Sequence, residues 1–264
     1  MWLPEVNDPD DDLLKPIVSR SVSILTLDIE TSPHLAYSFD VWQANISPEK
    51  IMEASRVLMV GAKWYDRNKV IMLTEQALGH REMIRQSWRL VDQADVIVHY
   101  NGRKFDMRHL RREWLLAGMP PPRPFKQVDL LQVVRKQFAN PSNKLDAISQ
   151  VLGIGQKIQH QGFALWKGCL DGDPKAWAKM ARYCRGDVLL TERLYDRLRP
   201  WITHHPHVTA SDQLRCNRCG SANLTPIGDY TAVVLAYGQW RCDDCGGTVR
   251  TSNSKRVAKT RGTA

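Results

Sequence analysis

LTLDIETSP, residues 25–33, decides how this chain is read: an apolar strand that ends in two carboxylates, Asp28 and Glu30. Side chains at i and i+2 of a strand share a face, so both acids project from one side of a hydrophobic segment. Like charges placed this way repel, and a divalent cation between them turns the repulsion into binding. A strand end carrying two solvated acids is the plainer alternative. The pair therefore acquires meaning only from partners elsewhere in the chain.

Outward from this strand the pattern is mixed α/β. HLAYSF, RVLMVGAKWY and KVIMLTE read as further strands, the last two joined by a turn at Asp66–Asn68. A helix is expected from about His80 to Ala94, followed by DVIVHY at 95–100, a continuous apolar run suited to a buried strand. Met107, Leu110, Trp114 and Ala117 then recur at helical spacing until Gly118. FKQVDLLQVVRKQF reads as a strand running into a helix, and LDAISQVLG as a helix ending at Gly153. A long helix should run from Pro174 to about Arg199, with Trp177, Ala181, Cys184, Val188, Thr191, Tyr195 and Leu198 as its apolar stripe.

The flanks differ in composition. Residues 1–21 carry aspartates and prolines without a period and read as a mobile acidic leader, outside a main domain at 22–199. Residues 200–213 read as a linker, 214–250 as a small cysteine-bearing unit, and 251–264 as a basic, disordered tail containing Lys255, Arg256, Lys259 and Arg261.

The formal net charge of +9 and pI near 9.3 over 264 residues point to a polyanionic partner, nucleic acid being the simplest. No apolar run reaches membrane-spanning length and the start lacks a basic-then-apolar signal, so a cytoplasmic location, in a bacterium or in the host of a phage, is expected without a membrane partner.

Two further acids join the opening pair. Asp106 follows the expected buried strand where the chain turns into a helix, a place where α/β proteins put functional groups, although capping that helix is the ordinary alternative. Asp187 lies inside the long helix, four residues after Tyr183 and so on the same face. Gly186 beside it costs about 1 kcal/mol in a helix interior and hints at a close approach by another segment.

The order and surroundings of these residues resemble the DEDD superfamily of 3′→5′ exonucleases in its tyrosine-bearing branch. Asp28 and Glu30 match the D-x-E strand, Asn101, Phe105 and Asp106 match the second motif, and Tyr183 with Asp187 match Y-x-x-x-D; Arg182 stands where the histidine branch has its histidine. Together with NKLDAISQVLGIGQK at 143–157 and YCRGDVLLTERL, the likeness is closest to the proofreading exonuclease domain of family B DNA polymerases, over roughly residues 22–198. There is no room for the polymerase itself.

The resemblance implies an RNase H-like mixed sheet flanked by helices and a free-standing nuclease using two Mg²⁺ or Mn²⁺ ions. Asp28 would bridge the two ions. Glu30 and Asp187 would complete the site that activates water, and Asp106 would serve the leaving-group side. Tyr183 would orient the water, Asn101 and Phe105 would meet the terminal nucleotide, and Lys144 or Lys157 its phosphates. DNA, as single-stranded 3′ ends in replication, repair or recombination, is the expected substrate, with replication or recombination proteins as possible partners. An exoribonuclease, a structure-specific nuclease or an inactive binding protein on the same fold are the alternatives.

Cys216, Cys219, Cys242 and Cys245 form two C-x-x-C-G knuckles separated by the strand-like YTAVVLAYGQWR. This is the pattern of a structural zinc ribbon, one ion held by four thiolates. Cys169 and Cys184 stand apart and read as small buried residues. His204, His205 and His207 read as exposed linker rather than ligands, and Arg215, Arg218 and Arg241 as candidate phosphate contacts or plain surface charge.

Overall fold

Strand β1 (Ile24–Thr31) runs through the centre of a five-stranded sheet. In the computed structural model, which describes residues 22–39, 42, 45–159, 162–209, 213–232 and 234–256, Ser23 to Leu194 form one unit, and Val22 with Tyr195 onward form a second. The leader expected at 1–21 and the tail beyond Arg256 lie outside the described residues.

A two-residue strand β2 (Leu35–Ala36) pairs with β3 (Ile51–Glu53), so HLAYSF is far less extended than its composition suggests. The main sheet continues with β4 (Val57–Trp64), β5 (Ile71–Thr74), β6 (Val96–His99) and β7 (Lys126–Asp129), in the order β5-β4-β1-β6-β7. β4 and β5 are antiparallel to their neighbours, whereas β6 and β7 run parallel to β1. Helices α1 (Glu75–Leu78), α2 (His80–Gln93), α3 (Asp106–Leu116), α4 (Leu130–Gln137), α5 (Leu145–Val151), α6 (Phe163–Leu170) and α7 (Pro174–Leu198) complete this mixed sheet flanked by helices.

The period of two along β1 sorts its side chains. Leu25, Leu27 and Ile29 enter a core with Met83, Ile84 and Leu90 of α2 and Met107, Leu110 and Trp114 of α3. Thr26, Asp28 and Glu30 therefore face the other way, the side on which Leu58 and Met59 pack with α6 and α7 through Leu165, Cys169, Trp177, Met180 and Cys184. Helix α6 has no counterpart among the expected elements. FALWKGCL is apolar on nearly every side, so it shows no period to read.

Two features of β4 fix α7 over the acids. Gly61 stands opposite Asp28 in the register, and a Cβ there would lie 2.8 Å from Cys184 Sγ and 2.9 Å from Val188 Cγ2. Two residues on, Lys63 Nζ meets Glu192 Oε2 at 2.7 Å in a largely buried ion pair. The missing side chain lets the helix approach, and the ion pair fixes its rotation.

The second unit holds β8 (Leu224–Ala232), β9 (Leu235–Cys242), β10 (Thr248–Arg250) and β11 (Lys255–Arg256), with β8 on one side of β9 and β10 and β11 on the other. The expected single strand-like stretch is thus a hairpin. Within the expected tail, Lys255 and Arg256 form a short strand that pairs with Ala236 and Leu235. Within the segment read as a linker, Ile202, His205 and Val208 are buried.

Gly61→Val should lower the urea or thermal stability of the protein by roughly 1–3 kcal/mol, because the new side chain enters the space of Cys184 and Val188. A variant as stable as the parent would mean that α7 is not seated against β4.

Candidate functional site

The acids of β1 are brought to α7 and the start of α3. Asp28, Glu30 and Asp187 each place a carboxylate oxygen within 4.8 Å of the others. Glu30 and Asp187 are almost inaccessible, at 9% and 2% exposure, while Asp28 opens into a pocket. The register of β1 against β4 slips between Glu30 and Thr31, so the pair ends at a bulge, a device that re-aims side chains at strand ends.

Asp106 is the first residue of α3, and its carboxylate is turned to the sheet instead of capping the helix. Its Oδ1 accepts from the backbone N–H of Ile29 at 3.0 Å, which ties it to the strand between Asp28 and Glu30. It stands outside the close trio, yet after burial its charge is the largest influence on Asp28.

Burial, then the charges of Asp106, Glu30 and Asp187, hold Asp28 well above the usual carboxylate range. Burial and Asp187 push Glu30 up to about 8, against the pull of Lys157. Burial likewise raises Asp106 to about 7, even though its own backbone N–H and that of Ile29 lower it. Carboxylates held so high are short of positive charge, and an all-oxygen donor set suits a hard divalent cation. The residues fit Mg²⁺ or Mn²⁺.

Lys157 supplies one positive charge. Its Nζ lies 2.6 Å from Asp187 Oδ2 and donates to the Tyr183 hydroxyl at 2.9 Å. Burial acts to lower the ammonium, but the charge and hydrogen bond of Asp187 outweigh it and hold Lys157 above its ordinary value. Tyr183 is raised to about 12 by burial and by Asp187, so its phenol stays protonated. The segment bearing Lys157 is seated by two contacts. Asp146 Oδ1 accepts from the Lys157 backbone N–H at 2.7 Å, and Ile158 Cδ1 lies where a side chain on Gly186 would stand, 3.0 Å from such a Cβ.

A pocket of about 620 Å³ opens beside Asp28, and Asn101, Lys144 and Lys157 line it. Phe105 is not among its walls; it is 40% exposed and stacks obliquely on His109 at 4.6 Å. Tyr100, Arg135 and Asn143 also line the pocket, and the Tyr100 hydroxyl donates to the Asn143 carbonyl at 2.6 Å. The loop under Asn101 hangs on Asp129, whose carboxylate accepts from the N–H groups of Asn101 and Leu131 on one oxygen and Arg103 on the other. Asn101 adopts φ 65°, a conformation asparagine tolerates better than most residues.

The cysteine cluster is a second, separate metal-competent group. Cys216 and Cys245 have Sγ atoms 3.6 Å apart, as do Cys219 and Cys242, and all four sulfurs lie within 4.8 Å. Four thiolates about 2.3 Å from one tetrahedral zinc would be roughly 3.8 Å apart, so the set fits that ion. Each knuckle closes through a glycine of positive φ, Gly220 and Gly246, whose N–H donates to the carbonyl of Cys216 or Cys242 at 2.8 Å. His205 is not exposed: its Nε2 meets the Tyr195 hydroxyl at 2.7 Å and its Nδ1 the Pro206 carbonyl at 2.6 Å, and burial lowers it to about 4. Arg218 is not available to phosphate, being buried and donating to the carbonyls of Ile202 and Thr248.

Among known families, the RNase H superfamily matches residues 49–199, more than half of the chain. That span includes Asp106, Lys157, Tyr183 and Asp187 and begins after the Asp28–Glu30 strand. No curated protein matches. Among the described residues, no helix is long and apolar enough to cross a membrane.

The raised carboxyls set a pH dependence. The native state keeps protons on Glu30 up to about 8 and on Asp106 up to about 7, which the unfolded chain releases near 4.5 and 3.8. Their contribution to stability is therefore full below about pH 4 and is lost as the pH rises through 7 to 8. In buffer free of divalent ions the unfolding midpoint should fall across that window, and Glu30→Gln or added Mg²⁺ should flatten the fall. A midpoint that rises instead would contradict the crowding of these acids.

Proposed function

The chain belongs to the RNase H superfamily, and on that footing we propose that it is a nuclease, a metal-dependent 3′→5′ exonuclease that releases nucleoside monophosphates from single-stranded DNA ends. The observation that carries this reading is the trio Asp28, Glu30 and Asp187 within 4.8 Å, with Asp106 coupled to it and Tyr183 one helical turn from Asp187. The polarity and the preference for DNA come from the likeness to the tyrosine-bearing exonucleases.

Asp28, Glu30, Asp106 and Asp187 would hold two Mg²⁺ or Mn²⁺ ions. When bound, such ions lower the pKa of water and offset charge developing at phosphorus during in-line displacement. Tyr183, protonated at neutral pH, positions the attacking water by hydrogen bonding and cannot serve as its base. Asn101 and Tyr100 flank the pocket for the terminal nucleotide, and Lys144 and Arg135 give it cations for the phosphates. The attacking oxygen bonds to phosphorus as the bond to the 3′ oxygen breaks, and the shortened strand leaves with that oxygen protonated.

Time courses on 5′-labelled single-stranded DNA, duplex DNA and RNA, with Mg²⁺, Mn²⁺ or a chelator, test the reading. A ladder shortening one nucleotide at a time from the 3′ end of single-stranded DNA is expected. Asp28→Ala and Asp187→Ala should abolish it, and Tyr183→Phe should lower turnover on the order of 10-fold while metal affinity is kept. Full activity in either alanine variant would overturn the assignment. A faster ladder on RNA would move the substrate to that class.

The four cysteines would hold one structural Zn²⁺, closed to catalysis. Cys216→Ser should remove about one zinc per chain, read by metal analysis, and unfold the second unit. An equally folded, zinc-free protein would remove the ribbon from the reading.

A further inference from the structure

The sheet of the second unit has two unlike faces. The register sets Tyr237 opposite Tyr230, Gln239 opposite Gly228 and Arg250, and Arg241 opposite Thr225 and Thr248. Cross-strand partners point the same way, so Tyr230, Tyr237, Gln239, Arg241 and Arg250 share one face. Of the alternate positions of β9, Ala236 and Cys242 are buried and Gly238 and Trp240 are half-buried, whereas on the tyrosine face Tyr230, Arg241 and Arg250 are exposed and Tyr237 and Gln239 half-buried, so the tyrosine face is the outer one. Tyr230 is 46% exposed and Arg241 is exposed.

On that face the Arg250 guanidinium lies 4.3 Å from the ring centre of Tyr237 and 5.2 Å from that of Tyr230, with the two rings 6.4 Å apart. A guanidinium held against aromatic rings keeps its planar edge for an oxyanion, and it is the side chain best suited to bidentate phosphate binding. Neighbouring tyrosines offer surfaces on which unpaired bases stack, whatever their identity. Charge points the same way: residues 213–256 contain Arg215, Arg218, Arg241, Arg250, Lys255 and Arg256 against Asp229, Asp243 and Asp244. Even with Arg218 committed to internal carbonyls, the balance favours a polyanion.

We propose that this face binds a single strand of nucleic acid, with bases on Tyr230 and Tyr237 and phosphates on Arg250 and Arg241, and the proposal rests on the nuclease reading for its substrate class. A duplex would keep its bases stacked internally and gain nothing from the rings. The surface is distinct from the carboxylate site and lies wholly within the second unit.

Fluorescence anisotropy with a labelled 25-nucleotide oligothymidylate or oligouridylate tests this, using the full chain with zinc retained and Ca²⁺ in place of Mg²⁺. Tyr230→Ala with Tyr237→Ala should weaken binding at least about 10-fold, whereas the paired phenylalanine substitutions, which keep the ring faces, should bind like the parent. Arg241→Gln with Arg250→Gln should reduce the slope of log affinity against log salt by about 1.4, at about 0.7 per phosphate on a single strand. The salt slope decides if the alanine variant loses its zinc.

Unchanged affinity in a zinc-bearing alanine variant, or an unchanged slope, overturns the proposal and leaves the face to a protein partner. Hydrolysis of a dinucleotide by the parent separates the two readings. Hydrolysis with no effect of the face variants on binding overturns this proposal alone. Weakened binding in the variants without any hydrolysis by the parent supports the face and overturns the catalytic reading.

Discussion

Acids crowded at the edge of a core are the constraint on which the first unit depends. Glu30, Asp106 and Asp187 are each nearly inaccessible, and in such a setting every added negative charge raises the proton affinity of the others. Lys157 is the counterweight. Removing one partner of a buried pair costs about 3–5 kcal/mol, and Asp187, at 2% exposure, has no aqueous alternative to its 2.6 Å partner. The ammonium also explains why a helix tolerates glycine at 186. Without a side chain there, Ile158 can lie against α7, and the neighbouring lysine reaches Asp187 and Tyr183.

The sheet meets the same constraint from below. The acids lie on one face of β1, and α7 must come close to them for Asp187 to complete the trio. Gly61 provides the clearance directly opposite Asp28, and Lys63–Glu192 holds the next turn and a half of the helix. Cys184 fills the remaining gap, its sulfur 3.7 Å from Asp28 Oδ2. A thiol so placed adds polarizable bulk without another charge, and burial with the charges of Asp28 and Glu30 holds it well above the range in which it would ionise. Packing and electrostatics are thus met by the same small residues.

This division explains what the sequence discloses. Asp28 and Glu30 are legible because strand periodicity alone puts them on one face, and Tyr183 with Asp187 because helix periodicity does the same. Asp106 is legible from its position at a strand-to-helix junction, but not its bond to Ile29, which spans 77 residues. Tyr100, Arg135 and Asn143 carry no local signal, since only the folding of three separate segments makes them neighbours. Helix α6 is hidden by an all-round apolar sequence, and the packing of the half-exposed Phe105 on His109 follows from helix geometry that its motif does not disclose. His205 looks like linker because its partner, Tyr195, lies on the preceding helix.

The second unit faces a different requirement. Its knuckles offer four sulfurs at the spacing of a single ion, and the buried residues of its knuckles and sheet, Cys216, Cys242 and Ala236, are small, whereas its larger buried side chains, Tyr195, Leu198, Ile202 and Val208, come from the segment before the knuckles. Below about 70–80 residues a single apolar core seldom supplies more than about 3–5 kcal/mol, so the close packing of the four sulfurs and the internal use of Arg218 add to the hold on this unit. A sheet held from its knuckles does not need aliphatic side chains on its second face. That face of β9 instead carries tyrosine, glutamine and arginine, residues suited to contact rather than to burial. The proposed strand-binding face is thus drawn from side chains that the packing of this unit leaves on its outer side.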